Sequence, residues 1–363
     1  LILITTDRQS AFDRILAAIP FKGQVLNLTS SWWFEQTKHI VKNHLLNLPD
    51  SNVIVAEKCA VVPIEFVVRG YITGSTSTSL WTVYKTGSRN YCGISLPDGL
   101  VKNQRLTTNL LTPTTKEKDH DRPISPEEII SEGWMTKEDW ETASEIALKL
   151  FTYGQKKALE NGLILVDTKY EFGVDENNKP YLIDEANTPD SSRYCSIKEY
   201  KKFVDIQLEM KTEKYKDVTE LLKQKPELKI KELSKQFVRD VLVEKGFSYG
   251  SEGDVPELTD EDVIEVAYRY ISLYEDLTGR KFEFTNTNVK QNMLYKLQIN
   301  GYLQGGVAVI MSGSDSDLPH IEKIKKELEK IKTTHTNAYR HLSELINNHN
   351  FDAIVKLLEE NHE

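Results

Sequence analysis

Asp167, Lys169 and Glu171 recur at every second position of the run Leu163–Phe172. That is the period of a β-strand, so all three project from one face while Val166, Thr168, Tyr170 and Phe172 project from the other. The polar run Asp175–Lys179 supplies a turn, and Pro180–Ile183 begins a return arm. Taking Asn177 and Asn178 as the central turn residues pairs Glu176 with Lys179 and sets Glu171 directly opposite Asp184. Like charges opposite one another destabilise a sheet, so the pair makes most sense around a cation. Mg2+ held by one or two carboxylates, its octahedron completed by phosphate oxygens, fits that chemistry. Lys169, on the same face, is placed to hold a phosphate oxygen. A solvated hairpin face of mixed charge is the other reading this spacing leaves open, although the apolar flanks Leu163–Leu165 and Tyr181–Ile183 favour a central strand pair.

A second stretch, Val61 to Ser75, runs from a β-branched strand into a loop holding Arg69, Gly70, Thr73, Gly74 and Ser75. A guanidinium pairs bidentately with a phosphate monoester, and glycine lets backbone and hydroxyl approach it closely. A surface arginine at a strand end is the plain alternative.

These residues also carry a resemblance. Leu165–Gly173, then Asp184-Glu185 and Thr188–Arg193, resemble the signature of the SAICAR synthetases, purine-pathway ligases; Pro63-Ile64-Glu65 through Arg69 to Thr73-Gly74-Ser75 resembles the family's other signature. The similarity spans about residues 1–284. It implies a reaction in which L-aspartate is joined to the carboxylate of carboxyaminoimidazole ribonucleotide (CAIR), with ATP cleaved to ADP and phosphate, and it implies ATP and Mg2+ as cofactors. By resemblance Glu171 and Asp184 serve the metal and nucleotide with Lys169 beside them. Lys169 and Asp190 become the candidate catalytic residues, Asp190 and Arg193 face the ribonucleotide, and Arg69 and Ser75 take its 5′-phosphate. The loop Asp7–Asp13, containing Ser10, and the pattern Thr112–Lys116 with His120-Asp121 also resemble the family, which adds Ser10, Lys116 and His120 to the substrate-binding set. The family's Gly-Lys-Val-Arg-Asp-type phosphate segment would precede the first strand. Leu1 already lies inside an apparent strand, so the natural N-terminus is expected upstream. A noncatalytic nucleotide-binding or scaffolding module is the competing reading; keeping Glu171, Asp184, Arg69 and Arg193 together speaks against it.

The elements that must position these groups are legible to different degrees. Strands are expected at Leu1–Thr5, Asn52–Ala56 and from Val61, and the apolar spacing of Trp33, Phe34, Thr37, Ile40, Val41 and Leu45 predicts a helix over 30–46. The polar stretch 97–125 reads as a connector. Ser125-Pro126-Glu127-Glu128 is a helix start, and a longer helix runs from Thr136 to Asn161 with Gly162 as its stop. Helices follow at 197–210, 212–223, 234–245 and 259–277, the last stopped by Gly279, and a short one at 289–298.

Beyond Gly305-Gly306 the run Val307–Met311 has the character of a buried strand, and the small-residue loop Gly313, Ser314, Asp315, Ser316, Asp317 leads into a helix at Leu318-Pro319. Backbone N–H groups at such a helix start form an anion site, here a second phosphate site. The run Gly313–Pro319 resembles the opening of the aminoimidazole-ribonucleotide carboxylase or mutase family, which implies a fusion to the preceding step and a homo-oligomer formed through this segment. That family's Ser-Ala-His segment is not in the sequence, and His335 does not stand in for it. A parallel sheet cannot continue from helix to helix without a strand, so a chain break is expected near Ile331–Thr334, with Phe351–Val355 belonging to a later part of the domain.

The expected class is therefore α/β: an α+β synthetase with a central antiparallel sheet over residues 1–284, a linker at 285–304, and a partial flavodoxin-like doubly wound segment at 305–363. A chain of 363 residues, 39% hydrophobic, is long enough for two or three domains. Acidic residues outnumber basic ones, 55 to 46, which argues against a general nucleic-acid binder. Three widely spaced cysteines form no disulfide or metal pattern, and no apolar run is long enough to span a bilayer, so a cytoplasmic protein without membrane attachment is expected.

Overall fold

The computed structural model describes residues 1–302 apart from 13, 77, 117–121, 211–213, 215–217, 229–232, 234, 249–250, 252 and 285–288. The expectations for His120, for Gly313–Asp317, for a break near residue 331 and for the run 351–355 lie outside the described residues. The chain divides into two compact units, one of Thr6–Leu45 with Glu57–Glu283, the other of Leu1–Thr5 and Leu46–Ala56 with the described residues from Phe284 onward.

The larger unit is built on a seven-stranded sheet whose central strand is Leu163–Val174. Ala60–Tyr71 pairs with one edge from Asp167 to Val174. The other edge is shared by Ser192–Ser196 along the first half and Pro180–Ile183 along the second. All these pairings are antiparallel, but Pro180–Ile183 pairs in parallel with Lys42-Asn43, so the sheet is mixed rather than wholly antiparallel.

One face of the sheet makes the core. Leu163 and Leu165 point into it, and so do Thr168, Tyr170 and Phe172, a change from odd to even positions. The change coincides with a bulge between Leu165 and Asp167 against Ser192–Ser196, and one extra residue in a strand reverses the alternation beyond it. The bulge is thus what turns Asp167, Lys169 and Glu171 away from the core together. Helix Lys137–Glu160 covers the apolar face with Trp140, Ala143, Ala147, Leu150 and Phe151. Gly154 allows it to lie close: a Cβ there would come within 2.9 Å of Leu165 Cδ2. Phe66 stacks on Trp140 at 5.3 Å and meets Phe172 edge-on at 5.0 Å, and truncating such a fully buried aromatic costs about 3–5 kcal/mol. A second cluster, including Val25, Leu26, Val238, Val266, Tyr270 and Phe282, packs helices Lys22–Thr37, Gln236–Glu244 and Asp260–Thr278 together.

In the smaller unit Val53–Ala56 lies between Ile2–Ile4 and Leu45–Asp50. The buried Asp50 carboxylate accepts from Lys296 at 3.0 Å and Asn292 at 3.2 Å, both on helix Val289–Ile299.

Local signals held where the chemistry is local. Ser125 and Thr259 form complete capping boxes with Glu128 and Asp262, and Gly279 ends its helix in the left-handed region. Three expectations change. The helix expected over 30–46 is Lys22–Thr37, followed by strand residues. The loop at Asp7–Asp13 contains strand Arg8–Ala11, which pairs with Arg14–Ala18. The connector 97–125 contains strand Arg105–Leu111 beside Ala60–Tyr71.

Candidate functional site

The polar face of the central strand carries two clusters of opposite character. At its C-terminal half Glu171 lies directly across from Glu65 on Ala60–Tyr71. Lys169 Nζ donates to Glu171 Oε1 at 2.5 Å and to Glu65 Oε1 at 3.0 Å, and stands 3.9 Å from Asp184 Oδ2. Lys116 donates to the other oxygen of Glu171, and Thr114 to the other oxygen of Glu65 at 3.0 Å. Three carboxylates thus surround one ammonium, with a second ammonium at the side. Burial alone would lower Lys169, but Glu65, Glu171 and Asp184 hold it well above its ordinary value. Burial would raise Glu171, yet Lys169 and Lys116 bring it down to about 2. Asp184 moves the other way, to about 6, through partial removal from water and the adjacent Glu171 charge; its side chain is still 48% exposed, so the like charge matters more.

The hairpin register differs by one residue from the expected one. Glu171 opposes Ile183, not Asp184. The loop has five residues, organised by Asp175: its Oδ1 accepts from Asn177 N at 2.8 Å and Lys179 N at 2.9 Å, and Asn178 takes φ 60°. An Asx nucleus of this kind replaces the assumed two-residue turn. The opposed like charges are therefore Glu171 and Glu65. Asp184 comes to Lys169 by another route, at φ 61°, where the strand has ended and the chain turns back.

Four residues earlier the neighbours are cationic. Asp167, buried in the sheet, is flanked by Arg69 on one side and Arg193 on the other. Arg193 Nη1 donates to Asp167 Oδ2 at 2.6 Å and Arg69 Nη1 to the same oxygen at 3.3 Å, while Arg69 Nε donates to Thr112 Oγ1 at 2.9 Å. Arg239, on helix Gln236–Glu244, completes the group: burial and the nearby Arg193 charge lower its pKa. The Nε–H groups of Arg193 and Arg239 are both buried without an acceptor. Buried donors are rarely left so, and unsatisfied charged donors in excess of one carboxylate make a site for an anion.

Asp190 lies in a third group. Its Oδ2 accepts from Lys22 at 2.8 Å, its Oδ1 from Tyr270 OH at 2.5 Å, and Lys235 stands 3.9 Å away. Burial would raise it, but Lys22, Lys235 and the Tyr270 hydroxyl hold it well below the usual carboxylate range.

The structure therefore brings Lys116, Lys169, Glu171 and Asp184 into one cluster, Arg69 and Arg193 into another, and Asp190 into a third. Ser75 is exposed and its Oγ meets Gln236 Nε2 at 3.1 Å instead of either arginine. Ser10 sits on strand Arg8–Ala11, its carbonyl accepting from Gln9 Nε2 at 2.9 Å. Sequence reasoning placed Asp167 on the polar face without giving it a partner, and missed Glu65, Arg239, Lys22 and Tyr270. Glu65 and Arg69 share strand parity, as do Asp167 and Glu171, a signal that was available; the other three come from distant segments. Among the described residues no helix is long and apolar enough to cross a membrane.

A family model described as SAICAR synthetase matches residues 1–229. The phosphoribosylaminoimidazole-succinocarboxamide synthase of Legionella pneumophila (strain Paris) is 52% identical over 300 residues, which is 82% of this chain and 89% of that one. The chloroplastic enzyme of the same description from Vigna aconitifolia is 65% identical over 200 residues, 55% of this chain and 59% of its own. Among solved structures, the SAICAR synthase from Saccharomyces cerevisiae complexed with SAICAR superposes with a TM-score of 0.60 at 30% identity, covering 78% of this chain and 90% of that one. With the family model matching residues 1–229 and a 52% identical relative matched over 82% of this chain and 89% of its own, the chain belongs to the SAICAR synthetase family.

Proposed function

We infer that the two opposed clusters on the central strand divide the two phosphorylated substrates of this ligase between them. The chain catalyses the ATP-dependent ligation of L-aspartate to CAIR in purine biosynthesis. Asp167 and Glu171 are four residues apart, about 13 Å along a strand. That length suits a ribonucleotide whose 5′-phosphate sits at one cluster and whose base carboxylate reaches the other. The observation that carries this reading is the buried, acceptor-less pair of Nε–H groups on Arg193 and Arg239 beside Arg69. They supply the donors a phosphate monoester requires, with Ser75 on the loop leading away from Arg69.

The carboxylate cluster suits the nucleotide end. Among the described residues no set of three or more metal-ligating side chains is preassembled. Glu171 and Asp184 nevertheless supply hard oxygen donors of the kind Mg2+ takes alongside phosphate oxygens and water. Bound there, the metal would neutralise phosphate charge. Lys169, charged and already centred among carboxylates, would follow a transferring phosphoryl oxygen, and Lys116 would relieve Glu171 as Lys169 moves. Formation of ADP and phosphate requires a carboxylate oxygen of CAIR to attack the terminal phosphorus, releasing ADP; the aspartate amine then attacks the activated carbon, and phosphate leaves. On this reading Asp190 faces the ribose, with Ser10 and His120 among the substrate contacts, and a cytoplasmic setting accords with the chemistry.

The test is ADP release from ATP. It should require both L-aspartate and CAIR, and fall when Mg2+ is chelated; ADP release independent of CAIR would sink the assignment. A second reading, that residues 305–363 belong to a fused carboxylase or mutase and mediate assembly, rests on the run Gly313–Pro319 alone. Because the Ser-Ala-His segment is not in this sequence, the test is assembly: loss of the oligomer on truncation after residue 304, followed by light scattering, would support the reading, and an oligomeric state unchanged by the truncation would remove its assembly role.

A further inference from the structure

We propose that Tyr270 and Lys22 are positioning residues that fix the Asp190 carboxylate for the ribonucleotide. The proposal rests on the reading above that Asp190 faces that substrate. Tyr270 is in the middle of helix Asp260–Thr278 and only 1% exposed, its ring held in the second apolar cluster with Val266 and Phe282. Its hydroxyl emerges from that cluster onto Asp190 Oδ1 at 2.5 Å, while Gln9 Oε1 is farther, at 3.5 Å. A phenol has one proton to give, and the charged acceptor at shorter range takes it.

Lys22 is placed against local preference. It opens helix Lys22–Thr37 and is 4% exposed, and a helix N-terminus disfavours a cation. Burying an ammonium there is costly unless it is paired, and it is paired: Nζ donates to Asp190 Oδ2 at 2.8 Å and to the Arg8 carbonyl at 3.2 Å. The two oxygens of Asp190 thus each receive one fixed donor, from two separate helices. Each keeps a further lone pair, and the side chain keeps 15% of its surface open, so what remains is an oriented acceptor for a substrate hydroxyl.

The charged and titratable groups facing Asp190 are Lys22, Lys235, Arg239, Tyr270 and Glu185. Removing a donor from this set makes the carboxylate easier to protonate. A purely structural contact would loosen all substrates alike and leave the pH profile unmoved.

The experiment compares Tyr270→Phe, which deletes only the hydroxyl, with Lys22→Met, Asp190→Asn and the double variant Tyr270→Phe/Asp190→Asn. Hydrogen bonds to charged groups predict that Tyr270→Phe raises KM for CAIR roughly tenfold or more, with KM for ATP and aspartate unchanged. The acid limb of kcat/KM for CAIR should move to higher pH, and Tyr270→Phe should add nothing in the Asp190→Asn background. Lys22→Met should show the same pattern; where it fails to fold, Tyr270→Phe decides. An unchanged KM for CAIR in Tyr270→Phe beside a defective Asp190→Asn overturns the proposal alone, as does a uniform rise in all three KM values or an unmoved acid limb. An unchanged KM in Asp190→Asn overturns the placement of Asp190 itself, and the proposal with it.

Discussion

Across the sheet from Glu171 stands another carboxylate, whereas four residues earlier Asp167 stands between two guanidiniums. The backbone is the same strand on the same face, yet one end concentrates negative charge around Lys169 and the other positive charge around Asp167. Neither arrangement is what stability alone selects. At the Glu171 end two lysines are needed to separate carboxylates that the register forces together; at the Asp167 end one carboxylate serves two arginines while buried N–H groups go without acceptors. Each cluster is thus completed by a ligand of the opposite charge. A pair of phosphorylated substrates supplies both, one of them accompanied by a cation.

The comparison can be broken at either end. The largest effect is expected for Glu171→Gln, which removes a charged acceptor from the transfer end: kcat should fall on the order of a hundredfold to a thousandfold, measured by coupled ADP release on protein whose circular dichroism shows it folded at the assay temperature. Next is Asp167→Asn. Leaving Arg69 and Arg193 without their buried counter-charge should cost about 3 kcal/mol of stability in a denaturant titration, the cost of breaking a buried pair. Inorganic phosphate should restore part of it, because an added anion takes over the abandoned role; indifference to phosphate would argue against an anion site there.

Much of this was readable in the chain. The alternation from Asp167 to Phe172 and the two capping boxes follow from rules that act over a few residues, whereas Arg193 was reached only through the family resemblance. What failed has physical causes of its own. Helix Lys22–Thr37 is buried on nearly every side, from Lys22 and Gln24 through Val25 to Trp33 and Thr37, so it has no apolar stripe to read. Strand Arg105–Leu111 lies at the sheet's edge with Arg105, Thr107 and Thr108 exposed, and therefore looks like a loop. The hairpin register turned on the side chain of Asp175, which recasts the turn and shifts every pair by one. Arg239, Lys22 and Tyr270 meet the site from far along the chain, where no spacing rule points to a partner.

A smaller effect separates the clusters by geometry instead of charge. Arg69→Lys keeps the cation but loses the planar fork shared between Asp167 and Thr112; KM for CAIR should rise roughly tenfold with KM for ATP unchanged. An equal rise in both would merge the two sites. The smallest effect is a pH dependence. Asp190 is held below its unfolded-state pKa, so its contribution to stability is present above the ordinary carboxylate range and is lost as pH falls through the depressed folded value. Wild-type stability should therefore drop on acidification more steeply than that of Asp190→Asn, as followed by urea midpoints between about pH 5 and pH 2; parallel curves would deny Asp190 its charged partners.

The division of substrates itself is tested most directly by titration calorimetry in a crossed design, with Mg-ADP and CAIR each titrated into Glu171→Gln and Arg69→Lys. The predicted result is a double dissociation: Glu171→Gln loses affinity for the nucleotide and keeps that for CAIR, and Arg69→Lys does the reverse. Loss of the same ligand in both variants would contradict the assignment of the two clusters to separate phosphates.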